Sequence, residues 1–267
     1  MAGSSSFSTS ARRVRIGQLS IDRVTLAEAL DGIEQLVRAA QGGSVFTPNV
    51  DHIVIAESDP RFREAYGGVS LSLVDGTPVL WASRLLGAPL PEKVSGSDLV
   101  VPLMRRAAQR GWRVYLTGGA PGVSQTAAQI LRGTLGANIV GADSPRIAAD
   151  GGPGADSEAT IARIRESQAQ LVLVGFGAPK QELWIHRHRD ALTPAVAVAV
   201  GAGIDFAAGR IRRAPGWMSR LGLEWLYRLA KEPRRLWRRY LLRDPAFLLI
   251  LFRSWMRTRR ERLRVRR

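Results

Sequence analysis

Six short apolar runs recur along this chain, each ending in glycine or a polar residue, with helical stretches between them. They lie at Ser44 to Thr47, Leu71 to Val74, Arg113 to Leu116, Ile139 to Val140, Leu171 to Val174 and Ala195 to Val200. Runs such as LVLVGFG from Leu171 and VAVAVGAG from Val196 show no polar alternation, so a strand made from them must be buried on both faces. A parallel sheet covered by helices on each side meets that demand, and the fold class is α/β with a Rossmann-like parallel sheet flanked by helices. Ser97 to Ala108, Val123 to Leu135 and Ser157 to Ser167 read as crossover helices. Upstream, Val14 to Val24 reads as a β-hairpin. Thr25-Leu26-Ala27-Glu28 is a capping box opening a helix with Leu26, Leu30, Ile33 and Val37 on one face.

Charge divides the chain differently. Of the 58 residues from Arg210 to Arg267, 19 are Lys or Arg and four are acidic, which places +15 of the formal +16 in this tail. Residues 14–209 therefore read as a nearly neutral catalytic or binding body and residues 210–267 as a basic C-terminal arm, helical and amphipathic. Residues 1–13, Ser-rich and without an apolar core segment, read as a disordered N-terminus and not as an export signal. No cysteine is present, which removes disulfides and thiolate metal sites. The longest wholly apolar stretch in the tail, Ala246 to Phe252, is far shorter than the roughly 20 residues a spanning helix needs.

In a parallel α/β sheet, ligands bind beyond the carboxyl ends of the strands. Four such ends stand out: Thr47-Pro48-Asn49, Val74-Asp75-Gly76-Thr77, Thr117 to Gly122, and Gly175 to Glu182. Asp75 sits where a general base can reach a bound hydroxyl, although Asp-Gly is also ordinary turn chemistry. Gly118 and Gly119 close a strand before a helix, so their backbone N–H groups offer a phosphate seat, while two plain βα turns would look alike. Asp143 follows the next strand, where a ribose-binding acid sits in dinucleotide folds, and this keeps a nicotinamide-dependent oxidoreductase open. Lys180, one of only three lysines, and Gln181 open a helix beside the same cleft. No Asp-x-Asp motif occurs, and His186 and His188, two positions apart, turn to different helix faces, so no metal site is expected.

In the arm, Pro233 can start a helix with Leu236, Trp237, Tyr240 and Leu241 on one arc and Arg234, Arg235, Arg238 and Arg239 on the other. A basic helix with aromatic residues at its boundary suits an anionic membrane surface, and equally an apolar arc packed on the body. A nucleic-acid-binding arm would explain the charge but leaves the cleft motifs and the Leu/Trp arc without a role.

Taken together, TPNVDH at Thr47, LVDGTP at Leu73, EKVSGSDL at Glu92, YLTGGAPG at Tyr115, VGFGAPKQELW at Val174, VGAGIDFAAG at Val200 and the Arg212 to Tyr240 segment, in this order, resemble the WecG/TagA/CpsF glycosyltransferases. The resemblance implies an inverting enzyme that moves a sugar from a UDP-sugar to a polyprenyl-diphosphate-linked acceptor in cell-surface polymer synthesis. The transferred sugar would be N-acetylmannosamine, its uronate or glucose. It implies Asp75 as the base, with Thr47, Asn49 and Gln181 lining the cleft. Arg213 and later arm arginines, Arg228 and Arg234 among them, would contact the diphosphates. Lys93 stands where many relatives carry arginine, keeping the charge without the bidentate fork. Cationic side chains would replace a metal, and no cofactor is expected. The partners expected are donor, acceptor and an anionic membrane, without nucleic acid, and with a homo-oligomeric state open. The expected location is cytoplasmic, peripheral on the inner face of the plasma membrane.

Overall fold

The computed structural model describes residues 13–152, 154–211, 214–215, 218, 222–231 and 233–265. An antiparallel hairpin of β1 (Arg13–Ile16) and β2 (Leu19–Asp22) precedes α1 (Leu26–Ala39). β3 (Gly43–Phe46) leads into α2 (Val50–Ser58) and α3 (Pro60–Gly67), and β4 (Leu71–Ser72) into α4 (Thr77–Leu85) and α5 (Gly96–Arg110). β5 (Val114–Gly118) is followed by α6 (Val123–Leu135), β6 (Ile139–Asp143) by α7 (Ala155–Glu166), and β7 (Leu171–Gly175) by α8 (Lys180–Arg187) and α9 (Arg189–Leu192). β8 (Val196–Ala199) ends in α10 (Gly203–Ala207). The arm adds α11 (Glu224–Lys231), α12 (Pro233–Trp237), a π-helical continuation over Arg238–Arg243, and α13 (Ala246–Val265).

Six strands form one parallel sheet in the order β4-β3-β8-β7-β5-β6. All six expected apolar runs supply its strands. The two-residue period of a strand sends successive side chains to opposite faces. Accordingly Leu171 and Leu173 pack with Leu99, Leu103 and Ala127 from α5 and α6, while Val172 and Val174 pack with Ile53, Phe62 and Trp184 from α2, α3 and α8. Burial on both faces is why these strands carry no polar alternation. The capping box forms as expected, with Thr25 and Glu28 satisfying each other's backbone N–H.

The hairpin guards an edge. Asp22 pairs with Arg13 Nε at 2.7 Å and accepts the Ser72 N–H at 2.8 Å. An otherwise open donor on the edge strand β4 is thereby satisfied.

The distal arm is part of the body's packing. Phe247 and Ile250 of α13 are buried in the core that holds the hairpin and α2. The Gly17 N–H donates to Ser254 Oγ at 2.9 Å. Gly17 itself has φ +59°, and a Cβ there would stand 2.8 Å from Ile250 Cγ2, so the turn needs glycine both for its backbone and for the close approach of α13. The other side of α13 is solvent-facing, with Leu248, Leu249 and Phe252 59–70% exposed. No helix of the described residues is long and apolar enough to cross a membrane.

The helical wheel of the arm needs correction. Leu236 is buried but Leu241 is exposed, and Arg239, expected on the solvent arc, points to the body. Trp237, on the same expected arc as Leu236, is also exposed, and over Arg238–Arg243 the i→i+5 pairing of the π-helix widens each turn, so a 100° step does not assign faces there.

Candidate active site

The loops after β3, β4, β5, β6, β7 and β8 enclose a cleft of about 1020 Å³ beyond the carboxyl ends of the sheet. Its floor is backbone. Gly118 has φ +125°, and a Cβ on it would meet the Gly175 carbonyl carbon at 2.5 Å, so β5 and β7 can end side by side only with glycine there. The Gly119 N–H donates to Gly175 O at 3.0 Å. The expected phosphate seat is thus engaged in holding two strand ends together. Gly119 lines the cleft, whereas Gly118 is outside its lining.

Asp75 lines the cleft just past β4, half-buried, with its own N–H on Pro48 O at 2.9 Å. Thr47 and Asn49 line it from β3, and Lys180 and Gln181 from the start of α8. The Thr47 hydroxyl donates to Ala199 O at 3.2 Å, tying β3 to β8. Asn49 caps α2 and forms a reciprocal box with His52. Gln181 is almost fully buried: its Oε1 accepts the N–H groups of Gly177 at 3.3 Å and Gly201 at 3.2 Å, and its Nε2 donates to Glu182 Oε1 at 2.7 Å.

Lys93 stays outside the lining. Its ammonium lies 3.2 Å from both Asp98 and Glu224, bridging the start of α5 to the first turn of α11. Burial works against the charge, but the carboxylates of Glu224, Asp98 and Asp75 outweigh it and hold its pKa above the usual lysine value. Arg234 is exposed and away from the cleft. Arg213 lies outside the described residues, as does the Arg228 side chain.

Several lining residues escaped the sequence reading. Asp51, buried beneath the cleft, faces Arg239 Nε at 3.4 Å and Arg243 Nε at 3.2 Å. Arg239 also donates to Asn49 Oδ1 at 3.1 Å. Asp244 stands 3.8 Å from Arg239, and burial pushes its carboxyl up to about 6 despite that arginine. Arg146, Lys180, Arg210, Arg239 and Arg243 give the cleft five cations, with Asp205 paired to Arg210 at 3.7 Å. The Asn-x-x-His spacing of an N-cap box was the one local sign of His52; the arm's pairing with Asp51 left none, because it joins distant segments.

Asp143 corrects the dinucleotide reading. Its Oδ2 accepts Tyr115 Oη at 3.1 Å, Thr160 Oγ1 at 3.1 Å and Arg163 Nη2 at 2.7 Å. It anchors α7 to the sheet outside the cleft lining, and burial together with this carboxylate pushes the Tyr115 phenol up to about 12. His186 and His188 face different partners, Glu64 and Ser157, as their spacing implied. Among the described residues no group of three or more His, Asp or Glu side chains is arranged to hold a metal ion.

Residues 14–261 match the family described as Glycosyl transferase WecG/TagA/CpsF. A relative from Bacillus spizizenii, N-acetylglucosaminyldiphosphoundecaprenol N-acetyl-beta-D-mannosaminyltransferase, is 33% identical over 202 residues, covering 75% of this chain and 76% of its own. A strand-end carboxylate in a cation-lined cleft and a match across nearly the whole chain lead to one assignment: the chain belongs to the WecG/TagA/CpsF glycosyl transferase family and is a glycosyltransferase.

Proposed function

We propose that this enzyme transfers N-acetylmannosamine from its UDP conjugate, with inversion, to N-acetylglucosamine carried on a polyprenyl diphosphate, in the synthesis of a cell-surface polymer. The observation that carries this reading is the pairing of one strand-end carboxylate, Asp75, with the five cations on the walls of the same cleft. Asp75 takes the proton of the acceptor hydroxyl as its oxygen attacks the anomeric carbon. The bond from that carbon to the diphosphate oxygen breaks, and UDP leaves with the bonding pair, its developing charge met by cations such as Lys180, Arg210 and Arg239. The choice of sugars follows the name of the Bacillus spizizenii relative.

The same reading puts the enzyme peripherally on the inner face of the plasma membrane, beside its lipid-borne acceptor. Supporting it, Leu241, Leu242, Leu248, Leu249 and Phe252 form exposed apolar positions interspersed with arginines in an arm that carries nearly all the excess charge.

The test is direct. Purified full-length protein is incubated with UDP-N-acetylmannosamine and a short-chain prenyl-diphosphate N-acetylglucosamine, and the product linkage is read by NMR. A β-linked disaccharide on the lipid is expected. Failure with this donor but turnover with the uronate or UDP-glucose would move the donor assignment, and a retained anomer would remove the single-displacement mechanism.

A further inference from the structure

Glu182 is fully buried, and among the described residues its hydrogen-bond partners are Gln181 Nε2 at 2.7 Å and His52 Nε2 at 3.2 Å, both on Oε1. A carboxylate without exposure is costly to keep in a core, and this one lies against His52, itself packed against the rings of Phe62 and Tyr66. A favourable charge for the first turn of α8 would serve as well at the surface, where desolvation is absent. The position of Glu182 therefore calls for a role that only a buried acceptor can perform.

Its two partners lead to three walls of the cleft. Through Gln181, whose Nε2 it holds, it directs Oε1 onto the N–H groups of Gly177 and Gly201, which begin the loops after β7 and β8. Through His52 it reaches the loop after β3. Nδ1 of that ring lies 2.9 Å from Asn49 Oδ1 and 3.4 Å from Asn49 N, so the imidazole holds the cap residue in either tautomer, donating to Oδ1 when Nδ1 carries the proton and accepting the backbone N–H when it does not. Asn49 Oδ1 in turn receives Arg239 Nη2 from the arm. One buried oxygen thus sits at the junction of three strand-end loops and, one step further, of an arm arginine.

We propose that Glu182 is a positioning residue of the transferase, acting through Gln181 and through the relay His52 to Asn49 to hold the walls of the cleft in register. The inference rests on reading this cleft as the transfer site. Misplacement of reacting groups by about 1 Å can lower turnover on the order of 100-fold without loss of binding, which is the signature expected when the clamp is loosened.

The experiment uses the full-length protein with Glu182→Gln, which keeps the shape, and His52→Gln. Two readouts are taken: kcat and KM with UDP-N-acetylmannosamine and the short-chain acceptor, and the side-chain amide NMR signals of Asn49 and Gln181. Glu182→Gln is expected to keep a near wild-type melting temperature, to lower kcat about 10- to 100-fold with KM little changed, and to move both amide signals. His52→Gln should move the Asn49 signal and leave that of Gln181 in place. In an Asn49→Ala background the Glu182→Gln penalty should shrink, because one end of the relay is already gone. An undiminished penalty in that background, or an Asn49 signal that ignores Glu182→Gln, overturns the proposal. Should the wild type transfer no sugar, the functional reading fails on its own, and the amide signals still decide the relay. Should Glu182→Gln not fold, the Asn49 signal in His52→Gln decides, and its staying in place overturns the relay.

Discussion

Arg239 Nη2 donates to Asn49 Oδ1 at 3.1 Å, joining residues 190 positions apart. The same guanidinium faces Asp51 at 3.4 Å and Asp244 at 3.8 Å, so a residue of the arm is held as a wall of the cleft. Arg239→Gln should lower kcat/KM about 10- to 100-fold while vesicle binding, measured by flotation, persists. Arg234→Gln, on an exposed position, should do the opposite and weaken vesicle binding most at low salt, where screening is least. Equal effects of both variants on turnover would show that Arg239 has no special part.

Asp75→Asn keeps the shape of the side chain and cannot accept the hydroxyl proton. Transfer should fall about 100-fold or more, with an unchanged melting temperature. Folded variant turning over within a few-fold of wild type would take the base role away from Asp75.

Much of this was legible beforehand, and for a physical reason. Strands buried on both faces advertise themselves as unbroken apolar runs, so LVLVG and VAVAV located the central strands, and their ends located the cleft with Asp75, Asn49 and Gln181 on it. Illegible were the contacts that depend on long-range docking: the Arg239 pairing with Asp51, and the engagement of Lys93 with Glu224. A helical wheel assumes a constant turn, and the π-helix after Trp237 broke that assumption where it mattered.

Asp244 yields a pH test. Its folded pKa of about 6 lies above the 3.8 of an unperturbed aspartate, burial being the main cause, so the folded state binds this proton more tightly than the unfolded one. That contribution is fully present below the unfolded value and is lost as pH rises through the folded value. The melting temperature of Asp244→Asn relative to wild type should therefore improve from roughly pH 4 to roughly pH 6 and level off above. A difference that is flat across this window would contradict the raised carboxyl.

The exposed face of α13 can be tested without disturbing its buried one. Replacing Leu248, Leu249 and Phe252 together by serine removes three side chains that would each contribute about 1.5–3 kcal/mol on insertion, so partition onto anionic vesicles should fall more than about 100-fold. The melting temperature should hold, since Phe247 and Ile250 still face the core. Undiminished binding would assign docking elsewhere.

Transfer is also expected to survive EDTA, because Asp51 and Asp205 on the cleft are engaged by Arg239, Arg243 and Arg210, and Arg146 and Lys180 add further positive charge to its lining. Chelation that stops the reaction, with recovery on adding Mg²⁺ or Mn²⁺, would refute this account of leaving-group stabilisation.

The bond from the Gly17 N–H to Ser254 Oγ spans 237 positions, nearly the full chain. Pairings of such sequence separation form late, since their loop-closure entropy is met only when the rest is in place. A chain still being synthesised therefore holds its first hairpin uncovered until almost its last residues exist. Any stop codon or proteolytic cut that removes α13 damages the beginning of the protein as well as its end, and a shortened body is not a neutral control for the arm.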